Sequence, residues 1–362
     1  MKSCLRIIVM IMLSCRSGVG EAQQNPDRTF RQWDVDKNGK LTRDELPDSA
    51  RRNFDRADAN DDGVISLQEH VEFLARRQRR EKNGLPPGVI VDKDLAYVKD
   101  GHERQLLDLY RPIESDGPAP VVIWIHGGAW RAGSKDSCPA IPLVSRGFVV
   151  ASINYRLSGQ ATFPAQIHDC KAALRWLRTN SKQLGIDPQR FGVWGSSAGG
   201  HLAALLGTSG GVAALEGELG HQDASSRVQA VCDWFGPIDL LLMNQQAGDL
   251  GTLNHDAPNS PESLLLGGTL PDVPEKAKIA SPLTYVSEDD PEFLIVHGDQ
   301  DPLVSWKQSQ LLHDALSAAG VRSDFTIIRG AGHGRFADPA ITEASLSFFE
   351  RVLGPERTTR KR

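Results

Sequence analysis

The chain has 362 residues, 40% of them hydrophobic and 24% charged, which leaves room for one large core plus a small accessory domain and excludes wholesale disorder. Its net charge of −5 supplies no global basic field for nucleic acid. Beyond the first residues, no apolar run approaches the length a membrane span needs.

At the N-terminus Lys2 and Arg6 precede an apolar run, Ile7 to Leu13, and Gly20 and Ala22 follow. This charged-then-apolar order, closing on small residues, predicts a signal peptide over residues 1–22 and a secreted or periplasmic protein. A buried N-terminal strand would not need that direction. Met12-Leu13-Ser14-Cys15 also resembles a bacterial lipoprotein box, so a lipid on Cys15 is the alternative and the sole route to a membrane. Of five cysteines, Cys138, Cys170 and Cys232 lie in the mature chain, either with one pair bridged or as buried thiols.

Residues 23–80 contain an internal repeat, Asp34 matching Asp58. In the first copy Asp34, Asp36 and Asn38 offer oxygens at alternate positions, Gly39 allows a sharp turn, Lys40 offers its carbonyl and Glu45 closes the set. The second copy repeats this with Asp58, Asn60, Asp62, Gly63, Val64 and Glu69. Hard cations such as calcium take oxygen ligands in this order. Leu41 and Ile65 match as apolar positions suited to a short bridge between loops. The region resembles a pair of EF-hands and implies bound calcium in a small all-α unit. Only Leu46 to Ala57 separates the loops, a spacing similar to dockerin repeats. No methionine-rich groove is evident, so a structural or adhesive role is favoured over a sensor. A charged stretch from Arg76 to Lys82, read as a solvated helix end, runs into Asn83-Gly84-Leu85-Pro86-Pro87-Gly88, and residues 81–92 are assigned as a linker.

From residue 93 strands and helices alternate. Gln105 to Tyr110, Val121 to Trp124, Phe148 to Asn154, Phe191 to Trp194, Val228 to Phe235, Phe293 to His297 and Phe325 to Ile328 read as strands. Helical spacing appears over Gln166 to Leu184, Ala198 to Leu206, Trp306 to Ala319 and Ile341 to Leu353. The pattern predicts an α/β domain over 93–354, a doubly wound and mostly parallel sheet, with 240–285 as an insertion and 355–362 as a charged tail.

Gly195-Ser196-Ser197-Ala198-Gly199 fits G-x-S-x-G between a strand and a helix. Such a turn lifts a serine hydroxyl above the sheet and aims the helix N-terminus at the reaction centre. Ser197 is therefore the candidate nucleophile. A hydroxyl needs a base, and His333 lies in Gly330-Ala331-Gly332-His333-Gly334 after the last strand; His126, His201 and His297 are weaker candidates. The orienting carboxylate is Asp299 or Asp301, both just past a strand end, and composition does not separate them. After the strand ending at Ile125, His126-Gly127-Gly128-Ala129-Trp130 would turn the Gly128 and Ala129 amides, with that of Ala198, into an oxyanion hole. Asn154-Tyr155-Arg156 and Trp130 read as packing.

Over residues 93–353 the chain resembles bacterial α/β-hydrolase esterases related to feruloyl and acetyl xylan esterases, near the hormone-sensitive-lipase-like group. The resemblance rests on His126 to Trp130, Trp194 to His201, Asp233-Trp234-Phe235-Gly236-Pro237-Ile238-Asp239, Ala280-Ser281-Pro282, His297 to Val304 and Gly332-His333-Gly334. It implies an α/β-hydrolase fold, and it makes the residue matching Asp301 the acid. The family usually has Thr where Ile238 stands and often Pro where Ser305 stands; neither departure touches the triad. The expected activity is a serine carboxylesterase acting on small acyl or aryl esters, acetyl or feruloyl groups on polysaccharide among them, with no catalytic cofactor. A peptidase or amidase with the same triad, and a non-enzymatic calcium-binding surface protein, are the alternatives.

Overall fold

The computed structural model describes residues 26–354, apart from 52, 61, 83, 84, 87, 116 and 335; the expected signal peptide and charged tail lie outside the described residues. The chain divides into two compact units, Met1–Gly84 and Leu85–Arg362.

In the first unit, helices Pro26–Trp33 and Leu67–Lys82 flank two short strands, β1 (Lys40–Leu41) and β2 (Ile65–Ser66). The strands pair antiparallel with Leu41 opposite Ile65. Both residues are buried, with Phe30, Leu46, Phe54 and Ala57, in one small apolar cluster. The helices between the loops are single turns, Asp48–Arg51 and Phe54–Ala57, as twelve residues with Pro47 at the start allow.

In the second unit eight strands form one sheet: β3 (Val89–Ala96), β4 (Leu106–Pro112), β5 (Ala119–Ile125), β6 (Val149–Ile153), β7 (Ile186–Ser196), β8 (Ala230–Trp234), β9 (Glu292–Gly298) and β10 (Ser323–Ile328). Their order is β10-β9-β8-β7-β5-β6-β4-β3, and only β4 runs against its neighbours. β5 is apolar and buried along its whole length, as a strand covered by helices on both faces must be. Val121, Ile123 and Ile125 pack with Leu174 and Leu202 on one face. Val122, Trp124 and Trp194 pack with Phe349 on the other.

Within the span 81–92, the helix Leu67–Lys82 ends at Lys82 and β3 begins at Val89, and the two units part between Gly84 and Leu85. β3 escapes sequence reading because Asp92-Lys93-Asp94 interrupts its apolar pattern. The register shifts between Asp92 and Leu95, and Asp94 has a φ of 57°. This is an edge-strand bulge, held where the Asp94 amide donates to Asp108 at 2.9 Å.

Candidate active site

β7 is hydrogen-bonded between β5 and β8, and it ends in Gly195 and Ser196. The helix Ala198–Thr208 starts two residues after Ser196, so Ser197 alone makes the turn, with φ 55° and ψ −124°. An L-residue holds these angles only when its surroundings force it. Here two close approaches do so. A Cβ at Gly195 would lie 2.0 Å from the Gly199 carbonyl oxygen, and one at Gly199 would lie 2.1 Å from that of Ile125. The Ser197 amide donates to the Trp234 carbonyl at 2.8 Å, pinning the turn to the end of β8.

His333 reaches this hydroxyl from the loop after β10. Its Nε2 lies 2.9 Å from Ser197 Oγ, and its Nδ1 lies 2.6 Å from Asp301 Oδ2. The other Asp301 oxygen accepts from the amides of Leu303 at 2.8 Å and Val304 at 2.9 Å. His297 Nε2 donates to the Val304 carbonyl at 2.8 Å and lies 3.3 Å from Asp301 Oδ2. Burial pushes the Asp301 carboxyl up, but the hydrogen bonds from His297, His333 and the Val304 amide outweigh it and hold the group well below the ordinary carboxylate range. A fixed carboxylate therefore faces His333 Nδ1–H and leaves Nε2 with the lone pair that a serine proton needs. Asp299 does different work. It accepts the Gly330 amide at 2.6 Å and so anchors the loop that carries His333.

The segment after β5 leaves the sheet with positive φ at three successive residues, Gly128 (114°), Ala129 (53°) and Trp130 (54°). Among the described residues, the amides of Gly128, Ala129 and Ala198 have no protein acceptor. His126 is not a base here. Its Nδ1 donates to the Gly127 carbonyl at 2.7 Å, and Arg104 sits 3.1 Å from its Nε2. Burial, against the Gly127 hydrogen bond, pushes His126 down to about 4, so its ring is neutral. His201, also pushed down to about 4 by burial, is tied to the Ala280 carbonyl at 2.7 Å. Tyr155 is buried and donates to the His126 carbonyl at 2.9 Å, fixing the base of the same segment. Arg104 and Tyr155 are supports that sequence reading assigned no part at the site, and no local pattern marks them.

The acidic loops of the first unit are near copies of each other. Asp34 accepts the amides of Asn38 and Gly39, both at 3.0 Å; Asp58 accepts those of Asp62 at 3.2 Å and Gly63 at 2.9 Å. Asn38 accepts from Lys40 at 2.7 Å, as Asp62 does from Val64 at 3.1 Å. Asn60 accepts the Asp62 amide at 3.0 Å. Glu45 and Glu69 accept the amides of Thr42 and Ser66 at 2.8 and 2.9 Å, hydrogen bonds that lower both carboxyls. Each loop thus curls its side-chain oxygens inward around Gly39 or Gly63, at φ 79° and 83°. In the first loop, ligand oxygens of Asp34, Asp36 and Glu45 all lie within 4.8 Å of one another, a donor set that suits a hard cation.

Comparison with known proteins decides the family. The BD-FAE family profile matches residues 107–316, more than half of the chain. The chain belongs to the BD-FAE family. This BD-FAE protein is therefore an ester hydrolase of the α/β-hydrolase fold, and the EF-hand profile matches its residues 27–46 and 52–73. It is 33% identical to Esterase LipQ of Mycobacterium tuberculosis over 84% of this chain and 68% of that one. It is 34% identical to the probable carboxylic ester hydrolase LipM of the same organism over 62% of this chain, spanning about half (51%) of LipM. Among solved structures, a truncated carbohydrate esterase from gut microbiota superposes with a TM-score of 0.68 at 35% identity, covering 74% of this chain and 97% of that one. An acetyl ester-xyloside bifunctional hydrolase from Caldicellulosiruptor lactoaceticus superposes with a TM-score of 0.58 at 27% identity, covering 69% and 89%.

Proposed function

We propose that this BD-FAE protein is a serine carboxylesterase in which Ser197 is the nucleophile, His333 the base and Asp301 the acid that orients it. The observation that carries this reading is the continuous hydrogen-bonded line Asp301–His333–Ser197, 2.6 and 2.9 Å. In acylation, Ser197 Oγ attacks the ester carbonyl carbon while its proton passes to His333 Nε2. The tetrahedral oxyanion is held by the Gly128, Ala129 and Ala198 amides. Collapse expels the alcohol, which takes the proton from His333 and leaves an ester on Ser197. A water then gives its proton to His333, attacks the acyl carbon, and releases the carboxylic acid with Ser197 restored.

The substrate is a small acyl ester, with acetyl groups on a polysaccharide the foremost case. The gut carbohydrate esterase and the acetyl ester-xyloside hydrolase among the structural neighbours support that choice. In the first unit, Asp34, Asp36, Asn38, Lys40 and Glu45, and Asp58, Asn60, Asp62, Val64 and Glu69, would hold calcium through side-chain and carbonyl oxygens. The ion would brace the loops and take no part in hydrolysis. The charged-then-apolar N-terminus supports export to the periplasm or the medium, where such substrates and calcium occur.

A panel of acetylated xylan, p-nitrophenyl acetate, feruloyl esters, longer acyl esters and peptides tests the reading. Acetyl esters should be hydrolysed fastest, and Ser197→Ala should hydrolyse none. Faster cleavage of peptides than of esters would overturn it.

A further inference from the structure

The turn that follows β8, Asp233-Trp234-Phe235-Gly236, touches both ends of the proton path. Its Trp234 carbonyl accepts the Ser197 amide at 2.8 Å. Its Phe235 ring lies edge-on to the His333 imidazole, centroids 4.8 Å apart. Phe235 holds this place at a φ of 46°, an unusual angle for a bulky residue, and its amide donates to the Val296 carbonyl at 2.8 Å. Asp233 closes the turn: one carboxylate oxygen accepts the Gly236 amide at 2.9 Å.

That carboxylate has no exposed surface, and among the described residues its second oxygen has no hydrogen-bond partner. It is wedged against the start of the helix that leaves Ser197. A Cβ at Gly200 would lie 2.3 Å from the bonded oxygen, and one at Gly236 would lie 2.6 Å from the same oxygen and 2.5 Å from the His201 amide nitrogen. A buried carboxyl with one oxygen unsatisfied costs stability, so apolar packing alone does not account for it.

We propose that Asp233 is a positioning residue for hydrolysis, a clasp that keeps Ser197 Oγ and His333 Nε2 in register by closing the turn against which both are set. The proposal rests on the triad reading above. Asp233 touches neither substrate nor the reacting atoms; it acts through the Trp234 carbonyl and the Phe235 ring. The working element is the hydrogen bond accepted from Gly236, which an amide oxygen can also make. Asn should therefore replace Asp, and Ala should not.

The test is steady-state hydrolysis of p-nitrophenyl acetate by the full chain, comparing Asp233→Ala, Asp233→Asn and Ser197→Ala. Asp233→Ala should lower kcat about tenfold to a hundredfold, the scale of a misplaced reacting group, with KM within about twofold of the parent. Asp233→Asn should keep kcat within about threefold. The proposal is overturned if Asp233→Ala retains the parent kcat, or if Ala and Asn lower it equally. Should Asp233→Ala not fold, Phe235→Leu keeps the clasp but removes the ring edge from His333. It should lower kcat about threefold to tenfold at unchanged KM, and an unchanged kcat would overturn the proposal. Turnover by Ser197→Ala would instead sink the triad reading, so the two failures are distinguishable.

Discussion

Replacing Asp301 by Asn is the most demanding test of the site's electrostatics, because the structure dictates how the amide must sit. One Asp301 oxygen accepts two backbone amides, those of Leu303 and Val304, at 2.8 and 2.9 Å. The Asn oxygen has to stay there, since an NH2 group would face two donors. Its NH2 group is then forced toward His333 Nδ1, where the carboxylate oxygen stood at 2.6 Å. Two N–H donors cannot share that space. The imidazole must shift its proton to Nε2, the nitrogen 2.9 Å from Ser197 Oγ, and it can no longer accept the serine proton. Loss of the correct tautomer costs about a thousandfold to ten-thousandfold in kcat in such triads, or about 4–5 kcal/mol of barrier. Asp299→Asn is the internal control. Asp299 needs only an oxygen to accept the Gly330 amide at 2.6 Å, which Asn supplies, so kcat should stay within about twofold. Stopped-flow and steady-state hydrolysis of p-nitrophenyl acetate measures both. Equal losses in the two variants, or an Asp301→Asn enzyme within tenfold of the parent, would refute the reasoning.

Two further outcomes follow from buried and clustered carboxylates. Burial, opposed by the Gly236 hydrogen bond, pushes Asp233 up to about 7. The folded protein then keeps a proton that the unfolded chain releases near pH ~4, so stability falls as pH rises from about 4 to about 7 and stays lower above. Asp233→Asn removes that penalty, and its melting temperature relative to the parent should climb between pH ~4 and pH ~8; a flat difference would contradict the assignment. Chelation of calcium should reduce hydrogen-exchange protection in the Leu67–Lys82 helix and the β1–β2 bridge while esterase turnover persists. Complete loss of turnover would make the ion part of the catalytic machinery.

Much of the site is legible in the sequence because its geometry is local. Gly195 and Gly199 around Ser197, between an apolar strand and a small-residue helix, encode the strained turn in five residues. The acidic loops are legible for the same reason, each ligand set lying within twelve residues. Long-range selection is not. Asp299 and Asp301 are two residues apart in equivalent composition. What separates them is which one meets the His333 ring and which one meets the Gly330 amide, a matter of how two loops dock. β3 was hidden because its polar bulge breaks the period-two pattern. Arg104 sits beside β4, far along the chain from His126, and Asp233 looks like any strand-end aspartate until its burial and its Gly236 partner are seen.

The central claim, that Ser197 is the residue acylated, is tested most directly by trapping it. An alkyl fluorophosphonate transfers one phosphonyl group to an activated serine and releases fluoride. Intact mass and peptide mapping after complete inactivation should show one adduct per chain, on the peptide carrying Gly195 to Gly199, and none in Ser197→Ala. An adduct on another serine that accounts for the lost activity would contradict the account.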